Sequence, residues 1–227
     1  MLKDESNVPE RAHWHRPHMG EHRWPISIIV LLVITLQYVL PVSLSLPFQG
    51  YVCILEAVLL GAVFIINPRR ISQHIPSTRT LGLLLVVVMS LSNTGSAIKL
   101  IDAIITRGVT DAKSLFLSGG SIWLTNVVVF ALWFWELDRG GPGKRAQATH
   151  PYPDFIFPQM SDPRYAPKEW HPKFFDYLYT SFTNASAFSP TDVMPLTRWA
   201  KLLMLFQSMT ALLIVGLVIA RAVNILH

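Results

Sequence analysis

The chain has 227 residues, of which 51% are hydrophobic and 15% are charged, and its mean hydropathy is +0.39. Soluble domains carry about 25% charged residues, so this composition excludes an ordinary soluble protein and indicates an integral membrane protein in contact with the lipid bilayer. The pI near 9.5 does not indicate nucleic-acid binding, since Lys and Arg in membrane proteins commonly mark the cytoplasmic loops.

The polar residues before the first apolar segment form a tail, residues 1–25, which contains Pro9, Pro17 and Pro25 and is predicted to be mobile. The tail also contains several histidines. They lack the spacing of a metal-ligand set, and Arg16 and Pro17 separate them. We therefore assign no metal site, and the sequence contains no cofactor-binding motif.

Five apolar segments approach the length of about 20 residues with which a helix crosses the hydrocarbon core of a bilayer. They comprise residues 26–46, 49–66, 80–105, 118–137 and 196–225. The first lacks a small-residue cleavage site and is predicted to span the membrane rather than to act as a signal peptide. The predicted fold class is all-α, a polytopic membrane protein with about five transmembrane helices, four of them within residues 26–137.

Glu56 is an acidic residue inside the second apolar segment, about 10 Å from its start by the helical rise. Ionisable residues inside a membrane are costly and are often functional, so Glu56 is a candidate intramembrane ion or proton site. A structural carboxylate that is hydrogen-bonded near the interface is the alternative. The single cysteine, Cys53, lies in the same segment and is assigned to packing.

Two connecting segments are rich in residues that interrupt regular structure. Residues 106–120 link the third and fourth apolar segments and end in Ser-Gly-Gly, which predicts a helix break. Residues 138–172 form the one sizeable extramembrane segment and hold seven of the 16 prolines. Because proline disfavours helix interiors and central strands, we predict an irregular cap or a partner-binding segment there.

Residues 173–227 combine a short helix, a polar loop and the last apolar segment. Pro172 suits the start of a helix, and the aromatic-rich run from Lys173 to Ser186 would measure about 21 Å at 1.5 Å per residue. This length covers little more than half of a membrane, as a re-entrant loop requires. A D-x-x-P-x-T motif begins at Asp192, and the last membrane helix follows it.

This order of elements resembles the pore helix, selectivity filter and inner helix of tetrameric potassium-type channels. The resemblance covers residues 174–221 and implies a homo-oligomer, a tetramer if channel-like, with monovalent cations as the transported species. It aligns the filter with Ala187, Phe188, Ser189, Pro190 and Thr191. A similar arrangement occurs in five-helix bacterial membrane proteins, for which channel activity is not implied, and this similarity implies the cell inner membrane as the location.

The aligned filter positions depart from the family pattern. Potassium channels replace the hydration shell of the ion with the backbone carbonyls of T-V-G-Y-G, whose glycines supply the required backbone angles. Residues 187–191 contain no glycine, and Pro190 fixes its own φ at about −65°. We therefore predict a wider pathway that is not potassium-selective, lined by the hydroxyls of Ser186, Ser189 and Thr191, with Asp192 as a cation-attracting ring.

Lys and Arg are distributed unevenly between the two sides of the predicted topology. With five spans, only Lys99, Arg107, Lys113 and Arg221 of the 19 basic residues lie opposite the N-terminus. The positive-inside rule then places the N-terminus in the cytoplasm. The pore-like loop would enter from the cytoplasmic face, as in ionotropic glutamate receptors, whereas the loop of potassium channels enters from outside.

The leading hypothesis from the sequence is a cation-channel-like membrane protein. Two alternatives remain open. One is a non-conducting accessory or structural subunit, in which residues 138–172 and the tail dock a partner. The other is a small ion-coupled transporter that depends on Glu56. No nucleotide loop, nucleophile constellation or metalloprotease motif is present, so an enzyme is not expected.

Overall fold

The computed structural model describes residues 12–107, 111–162, 164–167, 169–186 and 192–226, which are mostly helical. The helices are α1 (Trp24–Val39), α2 (Gln49–Ile66), α3 (Pro76–Asp102), α4 (Ala112–Leu137), α5 (Pro142–Ala146), α6 (Pro158–Ser161), α7 (Phe174–Ser186) and α8 (Arg198–Leu226). The strands are β1 (Glu21–His22), β2 (Arg70–Ile71), β3 (Phe155–Ile156) and β4 (Met194–Pro195). They form two antiparallel ribbons, β1 with β2 and β3 with β4. The all-α class is confirmed.

Among the described residues, four helices are long and apolar enough to cross a membrane, namely α2, α3, α4 and α8. The prediction of a membrane protein with spanning helices is confirmed to this extent. α1 is also apolar but has 16 residues, about 24 Å at the helical rise. It ends at Val39, earlier than expected, because Leu40 precedes Pro41 and takes extended geometry (φ −61°, ψ 138°).

The helix break predicted at the Ser-Gly-Gly sequence is wrong, because α4 runs through it. The helix starts at Ala112, six residues before Ser118, where the Asp111 carboxylate accepts hydrogen bonds from the backbone N–H of Lys113 (3.3 Å) and of Ser114 (2.9 Å) as an N-cap. Gly119 serves packing instead, since a Cβ at this position would lie 2.7 Å from a methyl group of Val218 on α8. The glycine therefore lets α8 approach α4 closely.

The described part of the N-terminal tail packs on the helices instead of forming a mobile segment. The backbone N–H of His18 donates to the Ala146 carbonyl (2.9 Å), and in the first ribbon Glu21 pairs with Ile71. Gly20 has φ +73°, and a Cβ there would lie 2.2 Å from the Ile71 carbonyl oxygen. Only glycine fits this turn without strain.

The described part of the tail, the α2–α3 connection and the described residues within 138–173 lie together at the end of the helix bundle where α7 and α8 begin. We call this the basic end, because most Lys and Arg residues belong to these segments. Arg23 N donates to the Arg69 carbonyl there (3.2 Å), and Trp135 Nε1 donates to Glu21 Oε1 (3.1 Å). At the opposite end, Lys99 Nζ donates to the Ser45 carbonyl (2.5 Å).

α7 and α8 both run antiparallel to α4. At the start of α7, Phe174 N donates to Glu21 Oε2 (2.8 Å), and two turns later Ser181 Oγ donates to the Val127 carbonyl in α4 (2.6 Å). Beyond the residues that are not described, β4 pairs with β3 and Leu196 N donates to the Asp154 carbonyl (2.8 Å). The chain is therefore again at the basic end when α8 begins.

Candidate functional site

Gln207 is a fully buried side chain on α8 that joins three helices at one level of the bundle. Its Nε2 donates to Ser181 O (2.9 Å) and to Ser181 Oγ (2.6 Å), and its Oε1 accepts from Asn184 Nδ2 (2.8 Å). Asn184 Nδ2 also donates to the Met204 carbonyl (2.9 Å). Since Ser181 Oγ donates to Val127 O in α4, these residues, the Gln207 cluster, hold α7 between α4 and α8.

The described ends of the predicted ion pathway lie on either side of this cluster. Ser186 is the last residue of α7, is half-buried and donates from Oγ to the Thr183 carbonyl (3.1 Å). Asp192 is exposed and precedes β4 at the basic end. The remaining pathway residues lie outside the described residues: Ala187, Phe188, Ser189, Pro190 and Thr191. Their lining of a pathway stays a prediction.

A buried ionic cluster fixes the start of α7 at the basic end. The fully buried Arg145 guanidinium carbon lies 5.0 Å from the Tyr177 ring centroid and 5.8 Å from that of Trp135. Its Nη1 donates to the Trp135 carbonyl and to the Asp138 carbonyl (3.0 Å), and Nη2 lies 3.7 Å from Glu21 Oε1. Arg145 therefore ties together the tail, the end of α4 and α7.

Two aspartates extend this ionic cluster to α8. Asp138 accepts from Tyr177 OH (2.5 Å) and from Asp154 N (3.1 Å). Asp154 accepts from Arg139 N (2.7 Å) and from Trp199 Nε1 (3.1 Å). Because Tyr177 belongs to α7 and Trp199 to α8, the two carboxylates set the positions of both helices relative to the described part of residues 138–172, which we call the cap.

The sequence did not single out this ionic cluster. Arg145 lies in the proline-rich segment, which was expected to be an irregular cap or a partner-binding segment, and Glu21 lies in the tail, which was expected to be mobile. A partial signal was present in Trp135 and Asp138, since a Trp and an Asp at the end of an apolar helix can both serve as hydrogen-bonding groups. Nothing in the sequence indicated their partners.

His18 and His171 connect the tail to the residues that precede α7. Their rings are stacked with centroids 3.7 Å apart and planes 11° apart. Burial lowers the pKa of His18 to about 3, and the nearby His171 and Arg145 act in the same direction. Burial also lowers the pKa of His171. The two rings are therefore stacked in their neutral forms at neutral pH.

Glu56 lies on the buried face of α2 with no exposed surface. The Gln37 amide faces the carboxylate, although neither Glu56 oxygen reaches hydrogen-bond geometry with another described residue. Nearby, Gln49 Nε2 donates to Gln37 Oε1 (3.2 Å) and to Ser92 Oγ (2.9 Å), so α1, α2 and α3 share a polar contact. The role of Glu56 as an ion or proton site stays a prediction.

Within the described ranges, no group of three or more His, Cys, Asp or Glu residues is arranged to hold a metal ion. The candidate functional region is thus α7, the start of α8 and the two polar clusters that position them. No protein-family model, curated protein or solved structure matches this chain.

Proposed function

We propose that the chain is a multi-pass protein of the cell inner membrane that forms a homo-oligomer, a tetramer if it is channel-like. In the proposal, α7 is a re-entrant pore helix, residues 186–192 line a cation pathway that is not potassium-selective, and α8 is the inner helix. The resemblance to the pore module of tetrameric channels supplies the arrangement.

One observation carries the proposal: α7 enters the bundle from the basic end, and the chain is back at that end by Asp192. α7 has 13 residues, about 20 Å at the helical rise, which is shorter than a bilayer core of about 30 Å. Its last turn is held at the level of Gln207 by buried hydrogen bonds. A helix end at membrane depth is tolerated where protein or water shields it, as the Gln207 cluster would do for the last turn of α7.

The proposed topology counts α1 as a fifth span. With its 16 residues it is shorter than an average spanning helix, and a slightly thinned bilayer or flanking polar residues would accommodate it. An odd number of spans agrees with α1 and α8 starting at the same end of the bundle. The positive-inside rule then assigns the basic end, and hence the N-terminus, to the cytoplasm.

The exposed faces of α7 and α8 supply a surface for oligomer formation. The aromatic side chains of Phe175, Tyr179 and Phe182 are exposed along α7. In α8, only 22% of the most apolar stretch is buried by the chain itself. Neighbouring copies packed around the axis would cover part of these faces, and lipid would cover the rest.

The test is cation flux from liposomes that contain the purified full chain, compared between wild type and Asp192→Asn. A ring of exposed carboxylates concentrates cations at low ionic strength, so the variant should reduce flux several-fold. The difference should disappear at about 1 M salt, where the Debye length falls to about 3 Å.

Asp162→Asn is the matched control, because Asp162 is also an aspartate at the basic end but belongs to the cap. Its flux should equal that of the wild type at both salt concentrations. Absence of flux from a folded oligomer, or equal effects of the two variants, would contradict a cation pathway at Asp192.

A non-conducting membrane subunit is the second candidate. The absence of glycine from residues 187–191 favours it, since the usual carbonyl filter cannot be built without the glycine backbone angles. This candidate predicts no flux together with a stoichiometric partner protein that co-purifies with the chain.

An ion-coupled transporter that depends on Glu56 is distinguished in the same assay. The pathway proposal predicts that Glu56→Gln retains flux, because Glu56 lies on α2, away from α7. The transporter predicts that this variant abolishes flux.

A further inference from the structure

A cavity of about 600 Å³ opens at the basic end between the tail, β2 and the residues that begin α7. Its wall is largely apolar and includes Trp24 and Ile29 of α1 and Phe175 of α7. Arg70 and Lys173 also line it. The volume lies in the range of about 300 to 1,000 Å³ that is typical of sites for small organic molecules.

The positive charge of this cavity comes from Arg70 and Lys173, both of which are exposed. The carboxylate of Glu21, which also lines the cavity, already has partners within the protein. It accepts hydrogen bonds from Trp135 Nε1 (3.1 Å) and Phe174 N (2.8 Å), and it pairs with Arg145 (3.7 Å). The other lining carboxylate, Glu169, is exposed to solvent. An anionic group between Arg70 and Lys173 would therefore meet two cations and one solvated carboxylate.

In the proposed topology the cavity lies at the level where the membrane surface would meet the helices. Trp24, at the first position of α1, is 58% exposed, and Trp is enriched at the level of lipid headgroups. Its apolar wall continues along α1 toward the part of the bundle that lipid would surround. An apolar wall combined with two cations matches a phospholipid, whose acyl chains are apolar and whose phosphate is anionic.

We infer that this cavity is a binding site for one anionic phospholipid, with its phosphate between Arg70 and Lys173 and an acyl chain against Trp24, Ile29 and Phe175. The inference concerns lipid binding alone and does not depend on ion conduction. A bound lipid would contact residues at the start of α7 directly.

The test is native mass spectrometry of the purified full chain in detergent, titrated with phosphatidylglycerol or with phosphatidylcholine. Phosphatidylglycerol should bind preferentially to the wild type. A basic side chain near a membrane surface favours an anionic lipid by about 5-fold, so the double variant Arg70→Gln/Lys173→Gln should weaken its binding by about 30-fold. Glu169→Gln should strengthen it.

The matched control is Arg69→Gln/Lys201→Gln, which removes the same charge from exposed positions at the basic end that do not line the cavity. It should bind the lipid as the wild type does. Ile29→Trp fills the cavity without changing its charge and should also weaken binding. Ile28→Trp, on an exposed position of the same helix outside the cavity, should not.

Equal binding of the two lipids, or equal losses in the double variant and its control, would overturn the inference. So would retention of full binding by Ile29→Trp. sn-Glycerol 3-phosphate at millimolar concentration should not displace the lipid; displacement would mean that the site takes a soluble phosphate instead. The double variant Arg70→Gln/Lys173→Gln changes the charge of the cavity, and Ile29→Trp changes its volume. The test therefore still gives a result if one of these variants fails to fold.

Discussion

Arg145 holds together the segments that meet at the basic end. It is fully buried, contacts two aromatic rings, and neutralises the carboxylate of Glu21 while its Nη1 satisfies two carbonyls at the end of α4. A buried ion pair contributes little compared with an apolar replacement of the whole cluster, but removal of one partner leaves an uncompensated charge. The loss of stability on removal of Arg145 would therefore come from the Glu21 carboxylate, which would stay buried without its partner.

Replacement of this arginine by methionine, Arg145→Met, should destabilise the protein by about 3 to 5 kcal/mol, because Glu21 would keep a buried and unpaired charge. For a chain of this size the thermal midpoint would fall by about 10 °C. The measurement is thermal unfolding of the purified protein in detergent, followed by tryptophan fluorescence.

Arg164→Met provides the comparison for this prediction. Arg164 also pairs with a carboxylate, that of Asp162 (2.6 Å), but its side chain is 85% exposed. Water can replace the lost partner there, so the midpoint should not change measurably. Similar shifts for the two variants would show that burial of Arg145 does not govern the stability of the cap.

At the scale of the element, α7 combines two faces with different partners. Phe174, Tyr177, Ser181 and Ala185 are buried at helical spacing against α4 and α8, while aromatic residues on the opposite face are exposed. On the side of the helix that faces α4 and α8, Ser181 Oγ donates to α4 and Asn184 Nδ2 donates to α8. The depth of α7 in the bundle is therefore set by specific hydrogen bonds as well as by packing.

Gln207→Leu should lower the stability of the protein by about 1 kcal/mol, the usual size of a hydrogen bond between membrane helices. The substitution removes the acceptor of Asn184 and the donor to Ser181, and it leaves most of the volume filled. The same thermal unfolding assay measures the change.

Thr210→Val is the control on the same helix. Thr210 Oγ1 donates only to the Phe206 carbonyl of its own helix (2.9 Å) and lies on the exposed side. Its loss should leave the thermal midpoint unchanged. If Thr210→Val were as destabilising as Gln207→Leu, the Gln207 cluster would not be what holds α7.

In the molecule as a whole, the distribution of basic residues matches the way the helices are connected. The segments that carry most of the basic residues come together at one end of the bundle, although they are far apart in the sequence. The opposite end holds the α1–α2 and α3–α4 connections, which share a surface around Leu40 and Asp111. A membrane protein with this division should insert in a single orientation.

The orientation can be measured with single cysteines in a Cys53→Ala background. Val42 is 88% exposed at the end opposite the cap, and Thr149 is exposed within the cap. In right-side-out vesicles, a membrane-impermeant maleimide should label Val42→Cys and should label Thr149→Cys only after permeabilisation. Labelling of both from outside would contradict the five-span topology, and the reverse pattern would contradict the cytoplasmic assignment of the basic end.

The membrane class, the all-α fold and the approximate positions of the long helices could be predicted from the amino-acid sequence, because apolar length and composition depend on no tertiary contact. The sequence also located the half-length helix and the segregation of basic residues. The prediction of a helix break at the Ser-Gly-Gly sequence was wrong, because Gly119 there allows Val218 of α8 to pack closely against α4. Propensity alone cannot distinguish a helix break from a close contact.

The contacts that hold the extramembrane segments and α7 in place became visible only in the folded chain. Arg145 meets Glu21 across more than a hundred residues of sequence, and Gln207 meets Ser181 on another helix. Each of these side chains is polar, and its position in the sequence does not identify its partner. Their burial became favourable only when folding brought complementary donors, acceptors and charges together, which no local pattern encodes.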